Sequence, residues 1–153
     1  MAWSNSKIFA VAVLNSLTRA GTTPDWDSDT LKCALYNNSI TPDNSVALAA
    51  SEYNTGVWLT ANEQSSAGQW AAGGVALSGV SVTQSGTVVT FTASNTASGA
   101  TATLANVYGG LVYDTTTSNM GLTYNYFGGS NGVTSGTFTV AWNASGIATF
   151  TVT

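Results

Sequence analysis

From residue 74 to the C-terminus the chain is a series of short alternating runs separated by turn residues. "VALSGVSVT" leads through "QSG" into "TVVTFTAS". "LANVYGGLVYD" is followed by "TTTSNM" and then "GLTYNYF", and the chain closes on "TFTVAWNASGIATFTVT". Runs rich in Val, Thr, Tyr and Phe with period two, bounded by Gly, Asn and Ser, are strand signals. An earlier run, "TLKCALYN", sets Leu31, Cys33 and Leu35 against Lys32, Ala34 and Tyr36. The pattern predicts about seven or eight strands, with turns spaced as in a sandwich or jelly roll. Strands and helices do not alternate, which argues against a parallel sheet. Gly109-Gly110 interrupts one strand, where a bulge or a close backbone approach is expected.

The terminal hairpin carries a Trp at its lip. Phe138, Val140 and Trp142 share one face of the first strand, and Ala148, Phe150 and Val152 one face of the second. Ile147 falls out of phase, which suits a bulge or a longer loop at residues 143–146. This register makes Trp142 the end-plug of a β core rather than a ligand platform.

One segment has helical spacing. Over residues 4–19, Ile8, Val11, Ala12 and Leu14, with Val13 and Leu17, form a broad apolar face. Ser4 is the expected N-cap, Gly21 the expected terminator, and Arg19 suits the carbonyl end. Trp3 is placed to pack back as a staple. The same segment lacks a small-residue cleavage site and is broken by Asn15, Ser16 and Arg19, so it reads as helix rather than secretory leader. Its apolar run falls short of the roughly 18 residues of a membrane span. Residues 51–73 read as a long loop with one short strand. The expected whole is a single domain, 1–153, mainly β: an antiparallel β-sandwich or jelly-roll-like body (30–153) with one N-terminal α-helix.

Charge narrows the function. Three residues are basic and seven acidic, and charged residues make up 7% of the chain against about 25% in ordinary globular chains. Three scattered cations make no footprint for nucleic acid. A surface so poor in charge does little to repel identical neighbours, which predicts extensive subunit contacts. There is no His, so the commonest general base and metal ligand is missing, and one Cys cannot build the usual zinc sites. Cys33 lies in an apolar alternating run and reads as a small buried hydrophobe. No phosphate-cradling Gly-rich loop with a Lys is present. The expectation is a non-enzymatic chain without cofactor.

Three constellations remain. Asp25, Asp27 and Asp29 have the spacing that opens a calcium loop, but Thr30 and Tyr36 stand where Gly and Glu are needed, so a capped turn is the better reading. Glu52 with Glu63 or Asp114 could pair for glycoside chemistry, though nothing in the spacing sets them on opposite sides of a bond. Trp58, Trp70, Tyr124 and Tyr126 beside Asn/Gly loops could stack sugars, against the alternative that they fill a β core or a subunit interface. Asn37-Asn38-Ser39 and Asn143-Ala144-Ser145 match the glycosylation triplet, as an Asn/Ser-rich chain does by chance.

Five stretches, in order, span most of the chain: "SNSKIF", "DWDSDTLKCALYNNSITPD", "AAGGVALSG", "GLVYD" and "YFGGSNGVTSGTFTVAWNASGI". Together they resemble small virion structural proteins of tailed bacteriophages, notably actinobacterial ones. The resemblance implies a capsid decoration (cement) protein on the outer surface of the capsid, bound as a homotrimer to the major capsid protein. The sequence departs from the family pattern over residues 51–70 and in its low charge. A tail-tube or minor tail protein, and a module binding host surface glycans, are the alternative readings. Contacts are expected from the helix, should its face lack partners within the chain, and from the 51–73 loop, with Trp3, Phe9, Trp58 and Trp70 the residues expected at an interface.

Overall fold

A computed structural model describes residues 3–19 and 23–153. In chain order its elements are β1 (Lys7–Ile8), α1 (Ala10–Thr18), β2 (Leu31–Tyr36), α2 (Leu48–Ser51), a 3-10 turn (Thr60–Asn62), β3 (Glu63–Gln64), β4 (Val75–Ala76), β5 (Ser81–Ser85), β6 (Val88–Thr92), β7 (Thr96–Ala97), β8 (Ala102–Asp114), β9 (Met120–Gly136), β10 (Thr139–Val140) and β11 (Ala148–Thr151). The chain is mainly β, antiparallel throughout its pairings, with one substantial helix near the N-terminus. The strands are more numerous than the sequence suggested, most of them shorter, while β9 extends well past "GLTYNYF" to Gly136. "VALSGVSVT", for example, divides into β4 and β5 at Gly79, whose φ is +57°.

The central sheet runs β1-β9-β8-β2-β3, with β4 also paired to β2. β2 is buried on both faces. Ala34 and Tyr36 join one apolar cluster with Trp3, Phe9, Trp58, Leu111 and Tyr124, while Cys33 and Leu35 join a second with Trp70, Leu104, Val107, Phe138 and Val140. The remaining strands close over these cores as the sheets β11-β6-β5 and β10-β7, giving a sandwich-like body. Phe91 of β6 and Ala148 of β11 enter the first cluster, and Val140 of β10 the second. The expected irregularity at Gly109-Gly110 is present. The β8–β9 ladder shifts register between Val107 and Gly109, and a Cβ on Gly109 would lie 2.5 Å from both the Trp3 ring and the Asn125 carbonyl oxygen. Glycine is used here for close approach.

The helix is a correction. It was expected over residues 4–19, but it begins at Ala10. Lys7 and Ile8 pair instead with Tyr124 and Thr123 of β9, and the Phe9 amide donates to the Leu122 carbonyl at 3.0 Å. Strand pairing with a buried partner outweighs helix spacing in this segment. Phe9, not Ser4, occupies the N-cap position, without a side-chain cap. Arg19 ends the helix in the left-handed region, its amide donating to the Asn15 carbonyl. The expected terminator, Gly21, lies outside the described residues. Trp3 is buried against the central sheet, its indole N–H donating to the Asn37 carbonyl at 2.8 Å.

Residues 51–73 form a fitted cover. The Glu63 carboxylate accepts from the Tyr53 hydroxyl (2.8 Å) and the Gly73 amide (2.7 Å). The Tyr113 hydroxyl donates to the Gly73 carbonyl at 2.7 Å, and Tyr53 and Tyr113 stack with centroids 4.8 Å apart. Tyr36 donates to the Trp58 carbonyl, so the loop is fastened to β2 as well.

Candidate functional site

The four expected interface residues are all inside the chain. Trp3 is 1% exposed, and Phe9, Trp58 and Trp70 are 0% exposed. Trp58 meets Trp3, Phe9 and Tyr36 edge-on at 5.2–6.0 Å, and Trp70 meets Phe138 edge-on at 6.0 Å. Rings packed this way within one chain leave no face for a partner. Their placement at an interface is therefore corrected: they are core. The same burial removes Trp58, Trp70 and Tyr124 as a sugar platform. Tyr126 alone of that set is half-buried.

Aliphatic side chains are exposed in their place. Leu14 and Leu17 on α1 are 56% and 79% exposed, and Val57 and Leu59 in the 51–73 cover are 37% and 44% exposed. Ala12 is the buried residue of α1. The helix thus lies on the body through Ala12, with Val11 packed at the edge of the first cluster, and turns Leu14 and Leu17 outward. Beside it runs an apolar groove of about 830 Å³ between α1 and the β11-β6-β5 sheet, with Leu17, Trp26, Val82, Val89 and Phe150 among its lining residues. The floor is fixed by Trp26, which sits edge-on to Phe91 and Phe150 and donates its indole N–H to the Ser16 hydroxyl at 3.0 Å. Arg19, Asp25 and Asp27 stand at its edge. The outer strand β5 has neither charge nor proline, the devices that normally block edge-to-edge pairing.

The carboxylates make local structure. The Asp25 amide donates to Asp29 Oδ2 at 2.8 Å, and the Asp29 amide to the Asp25 carbonyl at 3.1 Å, so the acidic triplet is a closed turn. Hydrogen bonding from the Asp27 side chain, and then from the Asp27 and Ser28 amides, holds the Asp25 carboxyl below its usual value despite slight burial. Among the described residues no group of three His, Cys, Asp or Glu side chains is placed to hold a metal ion. Asp114 is fully buried and accepts from the Thr116 amide (2.7 Å) and the Thr117 hydroxyl (2.8 Å). Burial pushes its carboxyl up, the neighbouring Asp29 carboxyl adds in the same direction, and the two Thr donors oppose. Burial likewise raises Glu63. Glu52, Glu63 and Asp114 line neither the groove beside α1 nor the cleft beside Trp142. Cys33 is buried, and desolvation pushes its thiol up to about 12, as a small core hydrophobe requires.

No family model matches the chain, and no curated protein or solved structure matches it. Sequence reasoning looked to the helix and the 51–73 loop for contacts but named their aromatic residues, and missed the exposed aliphatic ones, Leu14, Leu17, Val57 and Leu59. The available signal was the breadth of the helical stripe: Val11, Val13, Leu14 and Leu17 spread over more of the helix than one packing contact covers.

Proposed function

We propose that this chain is a non-enzymatic structural virion protein that decorates and stabilises a phage capsid, bound as a homotrimer to the major capsid protein on the outer surface. The observation that carries the reading is the outward apolar face of α1, with Leu14 and Leu17 more than half exposed beside an apolar groove. Exposed apolar patches of this kind mark association surfaces. Full burial of an exposed leucine contributes about 1.5–3 kcal/mol, and Leu14 and Leu17 have 56% and 79% of their surface still to bury. The resemblance of five ordered sequence stretches to phage virion proteins supplies the context.

The rest of the molecule suits the role. A cement protein needs a stiff scaffold with little repulsion between copies, and this one has a doubly covered sheet and 7% charged residues. Charges of both signs at the groove, Arg19 against Asp25 and Asp27, allow neighbouring copies to meet in register. Binding an assembled shell stabilises it by mass action, and repetition over the lattice multiplies a modest contact.

The test is heat-induced opening of capsids prepared with and without the protein, together with its copy number and position in the particle. Decoration predicts opening at lower temperature without the protein and many copies on the head surface. Equal opening temperatures, or density confined to the tail, would contradict it.

A further inference from the structure

A second cleft, of about 730 Å³, lies on another part of the surface, between β1 with the middle of β9 and the loop that joins β10 to β11. Its wall includes Lys7, Asn125, Tyr126, Trp142, Asn143 and Ser145, with one cation and no carboxylate. Trp142 is half-buried and packed against both apolar clusters. Its backbone amide donates to Asn95 Oδ1 (3.2 Å) and its indole N–H to Thr96 Oγ1 (3.1 Å). With both polar hydrogens engaged, what the ring offers the cleft is rigid, flat carbon surface.

The polar groups around it are in the opposite state. Asn143 uses its Oδ1 to accept the Ser145 amide at 2.8 Å, and its side-chain NH2 group has no partner among the described residues. Asn125 donates to Thr123 at 3.0 Å, which leaves its Oδ1 as a free acceptor at the cleft. Lys7 makes no ion pair with the described residues. One fixed aromatic surface, two open donors and one open acceptor in a cleft of ligand size form a specific combination. We infer that this cleft binds a saccharide, whose apolar C–H face stacks on Trp142 and whose hydroxyls pair with Asn125, Asn143 and Lys7.

Other ligand classes fit less well. An extended peptide adding to the sheet would need a strand edge, and β1 offers two residues. A nucleotide would need more than one cation or a phosphate cradle. An apolar ligand would leave the amides unpaired. The inference is independent of the capsid reading, since this cleft and the groove beside α1 share no lining residue.

The test is a titration of the full chain with neutral malto-, cello- and chito-oligosaccharides and with an oligogalacturonate, followed by amide chemical shifts and by acrylamide quenching. Quenching is informative because Trp3, Trp26, Trp58 and Trp70 are buried and Trp142 is the half-exposed indole. The expected result is saturable binding by at least one series, shifts confined to the cleft, and protection of one indole from quencher. Asn143→Ala should weaken binding about tenfold, a loss of one hydrogen-bonded contact, and Trp142→Ala should abolish it. Where circular dichroism shows Trp142→Ala unfolded, Asn143→Ala and Lys7→Ala decide, because both side chains are exposed. Preference for the galacturonate that disappears in Lys7→Ala assigns that amine to the ligand. No saturable binding by any series, or binding that Asn143→Ala and Lys7→Ala both leave unchanged, overturns the inference.

Discussion

The two ends of the N-terminal segment show two uses of apolar residues. Trp3 and Phe9 lie under the central sheet, wedged among Trp58, Tyr124 and Tyr36, and neither is more than 1% exposed. Five residues beyond Phe9, Leu14 is 56% exposed, and Leu17 still more so. These aromatic residues are consumed within the chain, whereas Leu14 and Leu17 of α1 stay more than half exposed. An abundance of Trp and Tyr is therefore no guide to a partner surface here. What distinguishes the outer region is that the described residues leave its leucines more than half exposed.

The contrast can be broken from its inner side first. Trp58→Ala removes the ring at the centre of the aromatic cluster and should destabilise the fold by about 3–5 kcal/mol, read as a lower urea midpoint at unchanged slope. An effect below about 0.5 kcal/mol, the range of surface substitutions, would return Trp58 to the surface. Glu63→Ala comes next. It leaves the Gly73 amide and the Tyr53 hydroxyl unpaired beneath the cover and should cost about 1–3 kcal/mol, with faster hydrogen exchange over residues 51–73. Uniform exchange in both forms would show that Glu63 does not fasten the cover.

The smallest effect is on pH dependence. Asp114 and Glu63 have folded-state values raised above 3.8 and 4.5, so the folded chain holds those protons more tightly than the unfolded chain. Their contribution favours folding below the ordinary carboxylate range and is lost as pH rises through the raised values. Thermal stability should therefore hold or rise slightly as pH falls from neutral toward about 5, and Asp114→Asn should flatten that trend. A steady fall in melting temperature over the same interval would contradict the assignment.

Much of the fold was legible in the sequence because β patterning is a local signal. The run Leu31–Tyr36 is a strand as expected, though Leu31 joins the cluster of Ala34 and Tyr36 rather than that of Cys33 and Leu35, and Gly109 marks the predicted close approach. The start of the helix was not legible, since Ile8 and Phe9 fit helical spacing equally well. Only the distant partners Thr123 and Leu122 decide that this stretch is extended. The terminal hairpin was read in part. Ile147 does fall at an irregular loop with Gly146 at φ +101°, but β10 pairs with β7 and β11 with β6, so the two arms enter different sheets. Trp142 accordingly both packs on the core and lines a cleft. The surface was the least legible part. The breadth of the apolar stripe showed that one contact could not cover it, but that Leu14 and Leu17 are the residues left outside depends on how little of α1 the body covers.

The most direct test of the central claim is the association state and capsid binding of a Leu14→Asp/Leu17→Asp chain, measured by sedimentation and by co-sedimentation with undecorated capsids. Both positions are exposed, so the variant should fold with unchanged stability. The account predicts that it is monomeric and does not bind, while the unmodified chain forms trimers and does. A folded variant that still forms trimers and binds capsids as the unmodified chain does would contradict it.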